Sequence, residues 1–210
     1  AIVHDYDKHQ FPLDNLVFDM GWHTNDATEG TGHNGHLNWT GFTWNRKLIP
    51  DPAALIDSIH RLGVTVSLND HPHDGIRPHE SIYPDYAKAT GLRPGEKSLF
   101  NLSDSNYMQN FFKFAHRPSE KMGVDFWWLD WQQNYLYPYV PGTNTTTLSW
   151  INELYYRESA KNNTRGCNYS RWGGWGDHRH PLWFSGDAQA NWPMLAFEVK
   201  LSAQSGNAGC

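Results

Sequence analysis

Short apolar runs recur along the chain, and several of them end at an aspartate. The clearest are the run through Trp127, Trp128 and Leu129, which ends at Asp130, and a later run that ends at Asp187. A strand that is buried on both faces has consecutive apolar residues, whereas a half-exposed strand alternates apolar and polar residues. The pattern therefore predicts buried strands of a parallel sheet, each followed by an aspartate.

Segments with helical spacing of apolar residues lie between these runs. Residues 52–62 have their apolar side chains on one helical face, with a proline in the first turn and a glycine after the end. The same spacing predicts helices over 105–122, with a kink or break at Pro118, and over 148–160 and 194–202. Strands that alternate with helices are typical of a parallel sheet.

The predicted strands number five, or six if residues 206–210 begin another. They cover residues 16–18, 64–68, 124–129, 167–170 and 182–185. A doubly wound sheet accommodates this number of strands. A complete (β/α)8 barrel typically needs ~250 residues, so these 210 residues would form only part of one. The apolar pattern by itself leaves both architectures open.

The composition narrows the classes of function. The chain has 11 Trp, 10 Tyr, 10 Phe and 12 His, which fits either an aromatic core or a carbohydrate site in which flat rings stack on sugars. Its formal net charge of −5 argues against a nucleic-acid-binding protein, which usually has a basic face. No apolar run approaches the ~20 residues of a transmembrane helix. The polar residues 1–14 lack the apolar core of a signal peptide.

Aspartates stand at four of the predicted strand ends: Asp19, Asp70, Asp130 and Asp187. In an α/β barrel the carboxyl ends of the strands meet at one face, where the active site lies. Cleavage of a glycosidic bond requires two carboxyl groups, ~5–5.5 Å apart for retention of configuration and ~6.5–9.5 Å apart for inversion. A single aspartate at a strand end commonly caps the next helix instead. Four of them near several tryptophans favour a sugar-cleaving site.

Two histidine-rich segments suggest a metal site as an alternative. They are His71-Pro72-His73-Asp74 and Asp177-His178-Arg179-His180. Neither matches the H-E-x-x-H pattern of zinc enzymes, and Pro72 favours extended or turn backbone. For these histidines we favour hydrogen bonding to sugar hydroxyls, or exposure to solvent, over metal binding.

Four segments, taken in order, carry a resemblance to a known family. They are Phe42-Thr43-Trp44-Asn45 with Ile49-Pro50-Asp51-Pro52; Leu62-Gly63-Val64 to Pro72; Gly123-Val124-Asp125-Phe126-Trp127-Trp128-Leu129-Asp130; and Arg171 to Asp187. In this order they resemble motifs of glycoside hydrolase family 31, which includes α-glucosidases and α-xylosidases. Asp187 follows Arg171 by 16 residues, the spacing expected between the family's substrate-binding arginine and its acid/base aspartate.

The resemblance implies a (β/α)8 TIM barrel that cleaves carbohydrate with retention of configuration, through a covalent glycosyl-enzyme. It implies Asp130 as the nucleophile and Asp187 as the general acid/base, without a metal or organic cofactor. It also implies that Arg171, Asp19 and Trp128 bind the sugar in the same pocket. The remaining candidate substrate-binding residues are Trp22, which lies in the same short stretch as Asp19, Asp70 at a predicted strand end, and Arg179 within the last of the similar segments.

The chain departs from the family pattern beside the predicted pocket and in length. Residues 130–133 read Asp-Trp-Gln-Gln where D-M-N-E is usual, and a glycine-rich stretch follows Arg171. The sugar therefore stays open among α-glucosides, α-xylosides, α-galactosides and α-N-acetylgalactosaminides. We expect residues 1–210 to be a fragment of one catalytic barrel, approximately its strands 2 to 7, without the family's flanking β-domains. The alternative function is a non-catalytic or degenerate carbohydrate-binding barrel.

Overall fold

The structure is a computed structural model that describes residues 2–24, 39–98, 100–130, 138–160, 165–171, 176–180, 182–207 and 209. Its centre is one parallel sheet of five strands, which lie side by side in chain order. The strands are β1 (Asn15–Phe18), β2 (Thr65–Asp70), β3 (Phe126–Leu129), β4 (Tyr169–Ser170) and β5 (Leu182–Trp183).

Helices connect the strands and cover one face of the sheet. They are α1 (Ile2–Lys8), α2 (Pro52–His60), α3 (Tyr83–Thr90), α4 (Ser105–Phe111), a π-helical segment (Phe112–His116), α5 (Arg117–Glu120), α6 (Thr147–Ser159) and α7 (Trp192–Asn207). None of the helices in the described ranges is both long enough and apolar enough to cross a membrane.

The strand order decides between the two architectures that the sequence left open. A doubly wound sheet reverses its strand order at a switch point, whereas a barrel adds each new strand on the same side. The order here runs from β1 to β5 without a reversal. The fold is therefore a partial (β/α) barrel, with five strands in the described part of the chain.

The strand register divides the side chains between the two faces of the sheet. Asn69 of β2 pairs with Trp128 of β3, which pairs with Tyr169 of β4, so these three side chains share the inner, barrel-facing surface. Leu68 pairs with Trp127 on the outer surface, where both are buried against the helices.

Much of the aromatic content belongs to the core beneath the outer surface. Trp22, Trp44 and Trp127 form a cluster with ring centroids 4.9 Å and 6.0 Å apart around Trp22. Phe111 packs edge-to-face against Phe42 and Phe100. The composition alone is therefore a weak indicator of a sugar site, because these rings fill the space between sheet and helices.

The predicted break at Pro118 takes the form of a change in helix type. Pro118 has no backbone N–H to donate to the preceding turn. The five residues Phe112–His116 form a π-helical segment, and the proline then occupies the first turn of α5.

The prediction of a strand beginning near residue 206 is wrong, because α7 continues through Asn207. The helical prediction for residues 194–202 is correct but too short, since nothing in the sequence stops the helix at residue 202. The sequence prediction also did not include α1 or α3.

Candidate active site

Asp130 is the first residue after β3 and lies at the carboxyl end of the sheet. It is 3% exposed, and its backbone N–H donates to the Asp70 carbonyl of β2 at 2.9 Å. Because side chains alternate along a strand, Asp130 shares the inner surface with Trp128. The fold thus places this carboxylate inside the barrel mouth.

Three side chains from neighbouring strands surround the Asp130 carboxylate. Arg171 Nε donates to Oδ1, and Asn69 Nδ2 donates to Oδ2 at 2.8 Å. His71 Nε2 lies 3.5 Å from Oδ2. Burial lowers the pKa of His71, despite the opposing effect of the Asp130 charge, so the imidazole is neutral near pH 7.

Arg171 also contacts the second predicted catalytic aspartate. Its Nη2 donates to Asp187 Oδ1 at 3.0 Å, and its guanidinium lies 4.7 Å from the Phe184 ring centre. Burial opposes the charge of Arg171, but the hydrogen bonds to Asp130 and Asp187 outweigh that effect and raise its pKa. One permanently charged guanidinium therefore joins the two carboxylates.

The shared guanidinium restricts how far apart the two carboxylates can be. Two hydrogen bonds to neighbouring nitrogens of one guanidinium allow a separation of no more than roughly 8 Å between the bound oxygens. The environments of the carboxylates differ, since the Asp187 side chain is 80% exposed and the Asp130 side chain is buried. The arrangement thus provides a shielded carboxylate and an accessible one at the same site.

Gly186 allows the close approach of Asp187 to Arg171. Its φ of +95° is in the left-handed region, which side chains with a Cβ atom rarely adopt. A Cβ atom at this position would also lie 3.3 Å from Arg171 Nη1.

Aromatic rings form the wall of the site on the inner surface. Trp128 is stacked on Tyr169, with centroids 5.7 Å apart, and is perpendicular to Phe184 at 4.9 Å. Trp128 Nε1 is buried and has no hydrogen-bond partner among the described residues. Burial, followed by the Asp130 charge, raises the pKa of Tyr169. The wall thus combines flat rings with an unused donor.

Asp19 lies at the rim of the site. Its Oδ1 accepts a hydrogen bond from the Met20 N–H at 2.7 Å, and its charge acts on His71. Because its side chain is exposed, it is accessible to a ligand at the carboxyl end of β1.

The structure separates three other candidates from the Asp130 carboxylate. Asp70 is on the outer surface, where its Oδ2 accepts hydrogen bonds from His116 Nε2 at 2.8 Å and the Tyr155 hydroxyl at 2.7 Å. Trp22 is buried in the tryptophan cluster of the core. Arg179 Nε donates to the Gly176 carbonyl, and its side chain is 58% exposed. Asn69 and Asp70 are consecutive in β2, so their side chains face opposite surfaces of the sheet. The end of an apolar run does not reveal which of the two faces the barrel interior.

The sequence does not predict Asn69 as a site residue, and it predicts His71 only as a possible sugar contact, without a link to Asp130. Strand alternation groups these two residues on one surface, and the structure shows which surface it is. Residues 69 and 71 alternate with the buried outer residues Leu68 and Asp70, so they face the barrel interior. The residues beside the predicted pocket that depart from the family pattern, 131–133 and 172–175, lie outside the described residues.

The two histidine-rich segments have different surroundings in the structure. His71 contacts Asp130, whereas His180 Nε2 bonds to Glu153 of α6 at 2.8 Å and His178 is exposed. Within the described ranges, no group of three or more His, Cys, Asp or Glu side chains is arranged to hold a metal ion.

Comparisons with solved structures reveal similar folds of low sequence identity. The α-xylosidase from Xanthomonas citri has a TM-score of 0.67 and 16% identity, and the alignment covers 99% of this chain and 25% of the α-xylosidase. A sulfoquinovosidase from E. rectale has a TM-score of 0.63 and 14% identity, and the alignment covers 90% of this chain and 31% of that protein. A dextranase from Flavobacterium johnsoniae has a TM-score of 0.64 and 13% identity, and the alignment covers 98% of this chain and 28% of that protein. The chain thus spans a quarter to a third of these relatives.

The family comparison agrees with the motifs and with the strand order. No curated protein sequence matches the chain. Residues 1–210 match the glycosyl hydrolases family 31 TIM-barrel domain over their whole length. The resemblance predicted from the sequence is thereby confirmed, and the chain belongs to glycoside hydrolase family 31.

Proposed function

We propose that the complete protein containing this chain is a retaining α-glycosidase, with Asp130 as nucleophile and Asp187 as general acid/base. The observation that carries the proposal is that Arg171 binds both carboxylates. Their different environments support different roles. Both oxygens of the buried Asp130 accept hydrogen bonds that hold the carboxylate in one orientation, whereas the exposed Asp187 is accessible to a leaving group and to water.

In the first step, an Asp130 oxygen attacks the anomeric carbon while Asp187 donates its proton to the glycosidic oxygen. The bond from carbon to the leaving oxygen breaks, and a covalent ester forms between the sugar and Asp130. In the second step, Asp187 takes a proton from water, and the water oxygen displaces Asp130 from the anomeric carbon. Two inversions at this carbon give net retention.

Arg171 supports both steps through its permanent positive charge. Its pKa is raised above an already high value, so it does not serve as the acid. It orients Asp130 and offsets the repulsion between the two carboxylates as a substrate binds. Trp128 and Phe184 provide flat apolar surface beside these groups, suited to the face of a sugar ring.

The substrate class is an O-linked α-glycoside of glucose, xylose, galactose or N-acetylgalactosamine, in an oligosaccharide or glycoconjugate. The experiment is a screen of the complete protein against aryl α-glycosides of these four sugars. We expect one of them to be hydrolysed, with the α-anomer of the sugar as the first product by NMR. First release of the β-anomer would contradict retention. Sugar binding without any hydrolysis would instead support a degenerate carbohydrate-binding barrel.

A further inference from the structure

The end of β2 directs alternate side chains to opposite surfaces of the sheet. Asn69 is on the inner surface beside Asp130, and Asp70 is on the outer surface among the helices. Asn69 is 1% exposed, and its Nδ2 lies 2.8 Å from Asp130 Oδ2. This hydrogen bond between two buried side chains joins β2 to the proposed nucleophile.

The chemistry of the amide determines its orientation. If the amide were rotated by half a turn, its oxygen would face a carboxylate oxygen, and two acceptors would then be in contact. With nitrogen toward Asp130, the Asn69 oxygen has no hydrogen-bond partner among the described residues. Asn69 therefore leaves one of its own groups unsatisfied while it donates to the carboxylate.

The backbone around Asn69 is held from three directions. Its carbonyl accepts a hydrogen bond from Trp22 Nε1 at 2.8 Å. It pairs with Trp128 in the sheet, and the next residue, Asp70, is bound to His116 and Tyr155 on the outer surface. A residue fixed in this way can hold a partner side chain in one rotamer.

We propose that Asn69 is a positioning residue, which holds Oδ2 of Asp130 while Arg171 holds Oδ1. The inference rests on the proposed function, because it assigns Asn69 a task in orienting the nucleophile. Hydrogen bonds to both oxygens fix the rotation of the carboxylate plane, and this rotation determines how an oxygen approaches the anomeric carbon.

Several titratable or charged groups surround Asp130 and bear on any pH effect. They are Arg171 after β4, His71 after β2, Tyr169 of β4, Asp187 beyond Arg171, Asp70 behind β2 and Asp19 at the rim. Each of these groups is retained when Asn69 alone is changed. A shift caused by that change therefore reports on the contact between Asn69 and Asp130.

The test is the pH dependence of kcat/KM for Asn69→Asp in the complete protein, with Asn168→Asp as the matched control. Asn168 is also 1% exposed, but its Nδ2 donates to Asn152 Oδ1 at 2.9 Å, away from the carboxylates. A carboxylate at residue 69 adds a second negative charge beside Asp130. We therefore expect the acid limb, which is the low-pH side of the kcat/KM profile, to move to higher pH by about one unit or more. The same change at residue 168 leaves the acid limb in place.

A second variant, Asn69→Ala, removes the donor without adding charge and covers the case in which Asn69→Asp does not fold. We expect kcat to fall about 10- to 100-fold with little change in KM, and the acid limb to shift in the same direction by a smaller amount. Equal acid limbs for wild type and both Asn69 variants would overturn the positioning role while leaving the proposed function intact. A wild-type protein that hydrolyses none of the glycosides would overturn the proposed function, and the positioning role with it.

Discussion

Arg171 is the residue on which the arrangement of the two carboxylates depends. Its guanidinium donates to Asp130 and Asp187 from different nitrogens and packs on the ring of Phe184. A planar group with several fixed donors can perform all three tasks at once, whereas the point charge of lysine cannot.

Arg171→Lys should therefore reduce kcat/KM by about 100-fold or more while preserving the positive charge. The measurement is steady-state hydrolysis of the preferred aryl α-glycoside by the complete protein. Arg61→Lys, in a surface pair with Asp57 of α2, provides the control and should retain wild-type rates. If both variants were equally active, Arg171 would not organise the site.

Asp130 and Asp187 should respond differently to substitution. Asp130→Asn should abolish turnover, because the amide cannot form the covalent ester. Asp187→Ala should slow glycosides with poor leaving groups far more than activated aryl glycosides, since the latter need little protonation. The ratio of rates on the two substrate types measures this. An equal loss on both would count against Asp187 as the acid.

His71 should make stability sensitive to acid. Burial lowers the pKa of His71 in the folded protein below the ordinary 6.5. At pH values between the folded-state pKa and 6.5, the unfolded chain therefore binds a proton more readily than the folded one. The stability from the neutral imidazole is present above pH 6.5 and is lost as the pH falls toward the folded value. The Tm of the complete protein should therefore decrease as the pH is lowered from 7 to 5.5. The decrease should be smaller in His71→Asn.

At the scale of elements, β2 forms a boundary between two buried polar networks. The inner one contains Asn69, His71 and Asp130, and the outer one contains Asp70, His116 and Tyr155. In the outer network, His116 stacks on Trp127 at 4.0 Å. Burial, and then the Asp70 charge, raises the pKa of Tyr155 well above its usual value, so Tyr155 remains a donor. The outer network fixes the strand whose opposite surface carries the site.

Tyr155→Phe should destabilise the protein by about 1–3 kcal/mol, because it removes one of the donors to a buried carboxylate. Denaturant unfolding of the complete protein gives this difference. Tyr139→Phe removes a hydroxyl from a side chain that is 54% exposed, so its effect should be within about 0.5 kcal/mol. Equal effects of the two substitutions would mean that the hydroxyl of Tyr155 contributes nothing specific.

The elements with strong periodicity were predictable from the sequence. The predicted helix over 148–160 corresponds to α6 (Thr147–Ser159), and β2 extends the predicted strand to Asp70. The strand predicted over 167–170 shortens to Tyr169–Ser170, because Cys167 N–H donates to Ser159 Oγ rather than to β3. Such competition between a side chain and a sheet ladder depends on a distant residue, so no local pattern reveals it.

The site was predictable only in part, for a related reason. An apolar run that ends in aspartate indicates the end of a strand, but it does not tell which surface the aspartate faces. Asp130 and Asp70 follow the same pattern and lie on opposite surfaces. The contact of Asn69 with Asp130 requires the register of β2 against β3, which the structure provides.

At the scale of the whole molecule, the described part of the chain is an open sheet with apolar surface in contact with solvent. Along α7, Trp192 is 82% exposed and Val199 is 65% exposed. Leu182 of β5 and Val17 of β1, the outermost strands of the sheet, are also exposed. Exposed apolar surface of this kind favours association.

We therefore expect the isolated 210-residue chain to bind a hydrophobic dye, to associate in solution and to be at least about 100-fold less active than the complete protein. Size-exclusion chromatography, dye fluorescence and the aryl glycoside assay measure these three properties. A monomeric chain with robust turnover would show that these residues suffice for a working site.

We propose that Asp130 and Asp187 form one retaining catalytic site in which Asp130 carries the sugar. The most direct test is to trap the glycosyl-enzyme in the complete protein with a 5-fluoro-α-glycosyl fluoride of the preferred sugar, followed by peptide mass mapping. We expect a single label, on Asp130, that is absent in Asp130→Asn. A label on another carboxylate, or turnover without any covalent intermediate, would contradict the proposal.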